Sequence, residues 1–372
     1  MHKNVFVALL PLLGGCYLHH TLGSTDGDGG ALDSSLPPTI ADAAGPVPTC
    51  PLTERCTVAD GSDIRAIAVD DERVYWVEHG TFDALGNHRG DGRLRVAPVE
   101  GGPATTILEG LAGPVDVRLT STHVFIGLAS ATREDGTRGA VTARVAREGG
   151  SLEHLTNEPL RRCGTCFASD GDLAVWVDDV AIRVQGAADA TPRSIREGAR
   201  RAVTALALDG DDALVLTAVR GGEERSVLRI ALDDGETMPI ATLPLTGGED
   251  TLALVDDELW IEEGAGRTET FLSRKPIDGG AWARAVALPN GERIARIVTA
   301  DRRIAISLRR PGRGLPIAVH AATPGDATLR TIVDGLSPEF AGAGTWNVPF
   351  DANAELVLWV VDDGSAIVRA PW

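Results

Sequence analysis

Arg65-Ala66-Ile67-Ala68-Val69-Asp70-Asp71-Glu72-Arg73-Val74-Tyr75-Trp76-Val77 reads as an apolar strand, an acidic turn and a second apolar strand. β-Branched and aromatic residues fill the two arms, and aspartate is a turn former. The same order returns as DVRLTSTHVFIGL around Ile126, FASDGDLAVWV around Trp176, ALALDGDDALVL around Val215, LALVDDELWI around Trp260, RIVTADRRIAI around Ile306 and DANAELVLWV around Trp359. From Trp76 the steps between matched positions are 50, 50, 39, 45, 46 and 53 residues. A period of roughly 40 to 50 residues suits a β-propeller blade of four strands.

Downstream in each unit a third strand, a Gly-rich or acidic hairpin turn and a fourth strand follow, as in RLRVAPVEGGPATTIL, VTARVAREGGSLEHL, VLRIALDDGETMPIAT and FLSRKPIDGGAWARAV. VAIRVQGAADATPRSI and IAVHAATPGDATLRTI are weaker copies. The last unit stops at Ser365-Ala366-Ile367-Val368-Arg369-Ala370-Pro371-Trp372, where the others turn into strand four. The segment from Cys50 to Ala59, just before the first unit, is expected to supply that strand, since an open sheet edge is an aggregation liability. No long amphipathic helix interrupts the pattern. Seven units of this length fit one ring better than independent β-sandwiches, which need roughly 100 residues each. The expectation is an all-β, seven-bladed β-propeller whose last blade is closed by the N-terminal strand.

Upstream of the repeats the N-terminus reads MHKNVFVALLPLLGGC, with Lys3 as a short basic region and an apolar stretch from Val5 to Leu13 that is too short to span a membrane. Its end, Leu13-Gly14-Gly15-Cys16, resembles the lipobox of bacterial lipoproteins, which implies cleavage before Cys16 and a lipid on that cysteine. A plain secretory signal with a chance cysteine is the alternative. Asp after the lipidated cysteine marks inner-membrane retention in that family; Tyr17 stands here, which points to the outer membrane, with the domain facing the periplasm or the cell surface. From His19 to Pro48 the chain is rich in Gly, Ser, Asp, Pro and Ala without apolar periodicity, which reads as a flexible tether. The expected organisation is residues 1–15 signal peptide, 16–48 lipidated cysteine and tether, and 49–372 a single propeller domain, monomeric and held to the membrane through Cys16.

With Lys+Arg 35 against Asp+Glu 53, the 372-residue chain carries a formal charge of −18. That argues against nucleic acid as a partner, because phosphate contacts need basic surface. Lys3 and Lys275 are the only lysines, so lysine chemistry is nearly excluded. Once Cys16 is assigned to lipid, Cys50, Cys56, Cys163 and Cys166 remain. Export and short separations favour disulfides of Cys50 with Cys56 and Cys163 with Cys166. A thioredoxin-like reading of Cys163-Gly164-Thr165-Cys166 lacks the βαβ context that lowers a thiol pKa. A four-cysteine zinc site is a third reading, with a long gap between its pairs.

The run Val74-Tyr75-Trp76 and the Gly-Gly hairpin turns resemble the YWTD-type and TolB-like propellers, especially divergent versions on bacterial exported lipoproteins. The resemblance spans about residues 60–372, and no unit carries the full YWTD string. It implies the fold far more than a function, because propellers host binding modules and several enzyme classes.

Trp76, Trp176, Trp260 and Trp359 stand at matching places in the second strands, which reads as packing between blades rather than as a sugar platform. Paired aspartates at Asp70-Asp71, Asp211-Asp212, Asp256-Asp257, Asp178-Asp179 and Asp362-Asp363 suit hairpin turns; Ca²⁺ is the rarer reading. The most distinctive insertion, Glu78 to Gly92, gathers His79, Asp83, His88 and Asp91, and the next unit has a long loop with Arg133 and Asp135 at the same position. Insertions at one repeat position fall on one face, often the binding face. These six residues form the candidate binding loop. The first four could instead make a metal or acid-base site, or simply a solvated loop. GxSxG, Walker A and HExxH strings are missing. The favoured function is a membrane-anchored module that binds a protein or glycan without resident cofactor; the alternative is a metal-dependent propeller hydrolase or lyase with a carboxylate-lined central funnel.

Overall fold

Strand-turn-strand units build seven four-stranded sheets arranged as blades of a β-propeller. The computed structural model describes residues 54–133, 135–158, 166–197, 203–218, 224–244, 251–265, 269–289, 292–309, 316–323, 328–334, 336, 349–361 and 364–372. Strand β1 is Cys56–Asp60. The first blade is β2 (Ile64–Val69), β3 (Arg73–Glu78), β4 (Gly92–Pro98) and β5 (Thr105–Leu111). The second is β6 (Pro114–Leu119), β7 (His123–Thr132), β8 (Arg138–Ala146) and β9 (Glu153–Thr156). The third is β10 (Phe167–Asp170), β11 (Leu173–Val177), β12 (Ala181–Gln185) and β13 (Arg193–Glu197). The fourth is β14 (Val203–Asp209), β15 (Asp212–Ala218), β16 (Glu224–Ala231) and β17 (Thr237–Pro244). The fifth is β18 (Leu252–Val255), β19 (Glu258–Ala265), β20 (Glu269–Pro276) and β21 (Ala283–Ala287). The sixth is β22 (Arg293–Ala300), β23 (Arg303–Arg309), β24 (Pro316–Ala322) and β25 (Arg330–Asp334). The seventh holds β26 (Phe350–Ala352), β27 (Leu356–Val361) and β28 (Ala366–Pro371).

The first strand of each blade is innermost, and successive inner strands touch around the ring, β2 meeting both β6 and β26 and β10 meeting β6 where Ser169 Oγ donates to the Leu119 carbonyl at 2.7 Å. The seventh sheet has the order β26-β27-β28-β1, so the N-terminal strand supplies the missing outer strand. Cys56 faces Arg369 and Asp60 faces Ala366, with a bulge between Thr57 and Ala59. The closing strand therefore begins at Cys56, later than the segment starting at Cys50 that the sequence suggests. The weak third and sixth copies form complete blades.

Side chains alternate across each sheet, so one strand feeds two inter-blade layers. Val74 and Trp76 pack with Val58, Leu356 and Leu358 of the seventh blade; Tyr75 and Val77 pack with Val117 and Ile126 of the second. Trp76, Trp176, Trp260 and Trp359 are all fully buried. They are not all equivalent. Counted from the residue that closes each hairpin, Trp76, Trp176 and Trp359 stand three positions on, beyond Arg73, Leu173 and Leu356. Trp260 stands only two beyond Glu258, which closes on Val255. An odd shift turns a side chain to the other face. Trp260 accordingly packs forward, against Ile294 and Ile304 of the sixth blade, and Ile261 takes the backward-facing place against the fourth.

The described aspartate pairs serve turns. Asp70 Oδ1 accepts the amides of Glu72 and Arg73 at 2.8 and 2.7 Å. Asp256 and Asp257, at φ 49° and 59°, fill a two-residue hairpin of the kind that needs positive φ twice. Asp362 and Asp363 lie outside the described residues.

Candidate binding face and central channel

Strands alternate in direction, so the β3–β4 and β7–β8 loops emerge at the end of the ring where the inner strands begin. The His79 amide donates to the Asp63 carbonyl ahead of β2 at 3.2 Å, and the Ala129 amide donates to the Gly113 carbonyl ahead of β6 at 2.9 Å. The two long loops thus share one face on adjacent blades.

The first loop is a small folded unit. Phe82 and His88 form a β-bridge, and the Asp83 amide donates to the Asn87 carbonyl at 2.8 Å. Asp83 Oδ1 accepts the amides of Leu85 and Asn87, both at 2.8 Å. Asp91 accepts the Thr81 amide at 2.7 Å and its hydroxyl at 2.6 Å. Underneath, the rings of His79 and His88 meet edge-on at 4.5 Å, and Phe82 lies 4.5 Å from His88. His79 is buried with Nδ1 3.5 Å from Asp63 Oδ2, while Arg65 pairs with the same carboxylate at 2.7 Å. Burial raises the Asp63 pKa, but hydrogen bonds from His79 and Arg65 outweigh it and hold the carboxyl below its ordinary value. Gly113, at φ +65°, closes the floor: a Cβ there would lie 2.5 Å from the His88 ring.

In the second loop Asp135 Oδ1 accepts the amide and hydroxyl of Thr137 at 2.9 and 2.6 Å. Arg133 donates to the Ala140 carbonyl at 3.2 Å and lies so close over Gly139 that a Cβ would meet it at 2.4 Å. Asp83, Asp91, Arg133 and Asp135 therefore hold their own loops in shape. His79 and His88 come together on Phe82, but the four candidate metal ligands do not converge. Among the described residues no group of three His, Cys, Asp or Glu has metal-holding geometry. The face instead presents Phe82, 47% exposed, and Leu85, 87% exposed.

Burial first, then the electrostatic influence of the neighbouring His79 and Arg65, holds His88 below its ordinary value of 6.5. A histidine depressed in the folded state keeps its contribution above the unfolded-chain value and loses it as pH falls below about 6.5. Lowering pH from about 7.5 to 5.5 should therefore speed amide exchange over residues 81–88, after correction for intrinsic rates. The His88→Gln variant should lose that pH response; unchanged wild-type protection across the range would contradict it.

At the axis, inner strands of all seven blades line a channel of about 430 Å³. Its charged lining is mixed, with Arg118, Asp170, Arg296 and Asp351. Asp116 meets Arg118 Nε at 3.3 Å and accepts the Val117 amide at 2.9 Å. Asp351 Oδ2 accepts the Val69 amide at 2.9 Å. Burial raises the Asp351 carboxyl against the pull of Arg296 and Arg118. Burial, with Arg118 adding to it, lowers Arg296 to about 10 against Asp351 and Asp116. Sequence reasoning passed over these side chains. Their signal was a charge inside the first strand of a unit, in Val117-Arg118-Leu119, Ala295-Arg296-Ile297 and Phe350-Asp351-Ala352.

No family model and no curated protein sequence matches the chain. Among solved structures it resembles the β-propeller domain of the Trilobed protease from Pyrococcus furiosus, which has an open velcro topology. The two are 9% identical with a TM-score of 0.56, over 82% of this chain and 94% of that one. A puromycin-hydrolyzing peptidase from Mycobacterium tuberculosis aligns with a TM-score of 0.52 at 18% identity, over 83% of this chain and 50% of the peptidase. TolB from Acinetobacter baumannii aligns at 0.46 and 12% identity, over 82% of this chain and 78% of TolB. At these identities the likeness is one of fold, and the fold the chain shares with the Trilobed protease domain is the β-propeller.

Proposed function

We propose that the protein is an exported lipoprotein whose propeller binds a protein partner through the face carrying the β3–β4 loop. One observation carries the reading: Phe82 and Leu85 stand exposed on a loop whose backbone is tied by Asp83 and Asp91. An exposed apolar tip on a rigid base binds with little ordering cost, and it favours a protein over a glycan. In this reading the signal is residues 1–15, lipid sits on Cys16, residues 16–48 are the tether, and the domain hangs from the outer membrane as a divergent YWTD-type or TolB-like propeller. Disulfides Cys50–Cys56 and Cys163–Cys166 complete it. Their support is that Cys56 and Cys166 are both disulfide-bonded and stand three blades apart, too far for a bond between them; Cys50 and Cys163 lie outside the described residues.

The test is crosslinked capture from cells with the native lipoprotein, a variant whose loop from Glu78 to Gly92 is cut to a tight hairpin, and the Phe82→Ser/Leu85→Ser double variant. The expected result is one partner held by the native protein and reduced about tenfold or more in both variants, the scale of losing central apolar anchors. Equal capture by all three, or none by the native protein, would overturn the reading. A chelator-sensitive hydrolytic activity would favour the metal-dependent enzyme instead.

A further inference from the structure

We propose that the central channel is a binding site for a small, singly charged carboxylate, anchored by Arg296. Each carboxylate on or beside the channel wall near Arg296 already has a donor: Asp116 has Arg118 and the Val117 amide, and Asp351 has the Val69 amide. Arg296 has no such acceptor. It retains 7% of its surface, its Nε is buried without a hydrogen-bond partner, and its guanidinium lies 5.3 Å over the Phe350 ring. Arg296 thus feels the attraction of Asp351 and Asp116 but finds no hydrogen-bond acceptor, and a buried donor left unsatisfied is costly, so the site lacks acceptor oxygens that a ligand would bring.

The chemistry narrows that ligand. The Arg296 guanidinium lies over the Phe350 ring, and the residue lines the channel wall. A planar fork of this kind matches two coplanar carboxylate oxygens. Arg118, on the second blade and three blades away around the ring, adds positive potential to the same volume. Asp351 opposes it, which disfavours a doubly charged phosphate and suits a monoanion. The inner strands also turn one backbone edge to the channel, offering hydrogen bonds to a hydroxyl beside the carboxylate. About 430 Å³ lies within the range of small-molecule sites.

Lactate is the probe, with acetate and inorganic phosphate beside it, each against chloride at matched ionic strength, on the full mature chain in detergent. Lactate should raise the melting temperature in a concentration-dependent way, more than acetate does, and phosphate should do so least. Arg296→Met, which keeps the stem over Phe350, should weaken lactate binding about tenfold or more. Should that variant fail to fold, Arg118→Gln gives the independent reading, with lactate binding weakened about three- to tenfold by the lost potential. No lactate response in the wild type, the same response in folded Arg296→Met, or an equal or larger response to phosphate would overturn the proposal.

Discussion

Deleting residues 1–60 is expected to open the ring and drive self-association, whereas deleting only 1–48 leaves the ring closed. The difference between the two truncations is β1 and its short lead-in. Without β1, the edge of β28 from Ala366 to Arg369 loses its partner, and the fully buried Val58 no longer covers Leu356, Leu358 and Ile367. Burial of one such side chain is worth roughly 1.5–3 kcal/mol. The exposed edge adds a template for pairing between molecules. Size-exclusion chromatography and denaturant unfolding of both truncations decide the matter. A monodisperse 61–372 chain with the midpoint of the 49–372 chain would show that closure contributes nothing. Supplying a peptide of residues 49–62 should partly reverse the self-association.

The second large effect is expected at Asp178, which has no solvent-exposed surface. Its Oδ1 accepts the amides of Val180 and Ala181, both at 2.7 Å, and its Oδ2 accepts Arg183 Nε at 2.8 Å. Replacement by Ala strips the β11–β12 turn of its acceptor and leaves Arg183 without its carboxylate. Breaking one side of a buried pair costs about 3–5 kcal/mol, so the urea midpoint should fall clearly. The exposed Asp211 of the β14–β15 hairpin serves as the control, and Asp211→Ala should change the midpoint less. A midpoint for Asp178→Ala equal to the wild type would mean that water replaces the carboxylate there.

The ring was legible because period-two alternation and turn chemistry repeat seven times, and because the last unit visibly lacks a strand. Register within a blade was less so. Aligning Trp260 with the other tryptophans by residue type hides that it stands one position nearer its hairpin, and that one-residue difference sends the indole to the opposite neighbour. The long β3–β4 and β7–β8 loops were found by their length, and their common face follows from connectivity. What their residues do was not legible: Asp83, Asp91 and Asp135 look like ligands in a string, yet they accept amides only a few positions away. The channel pair Arg118 and Arg296 comes from units nearly 180 positions apart, and only ring geometry brings such residues to one volume.

Closure by the first strand also sets an order of events in time. Cys56 and Arg369 are 313 positions apart in sequence, so the strand synthesised first must wait for the strand synthesised last. Contacts this distant are slow to form, because the intervening chain must be organised before they reward the search. Until β28 arrives, β1 is an unpaired strand on a growing chain, and unpaired edges are what make partly folded species aggregate. Assembly is therefore completed at the seam, and any process that delays the C-terminal blade prolongs the interval in which two copies can exchange their first strands.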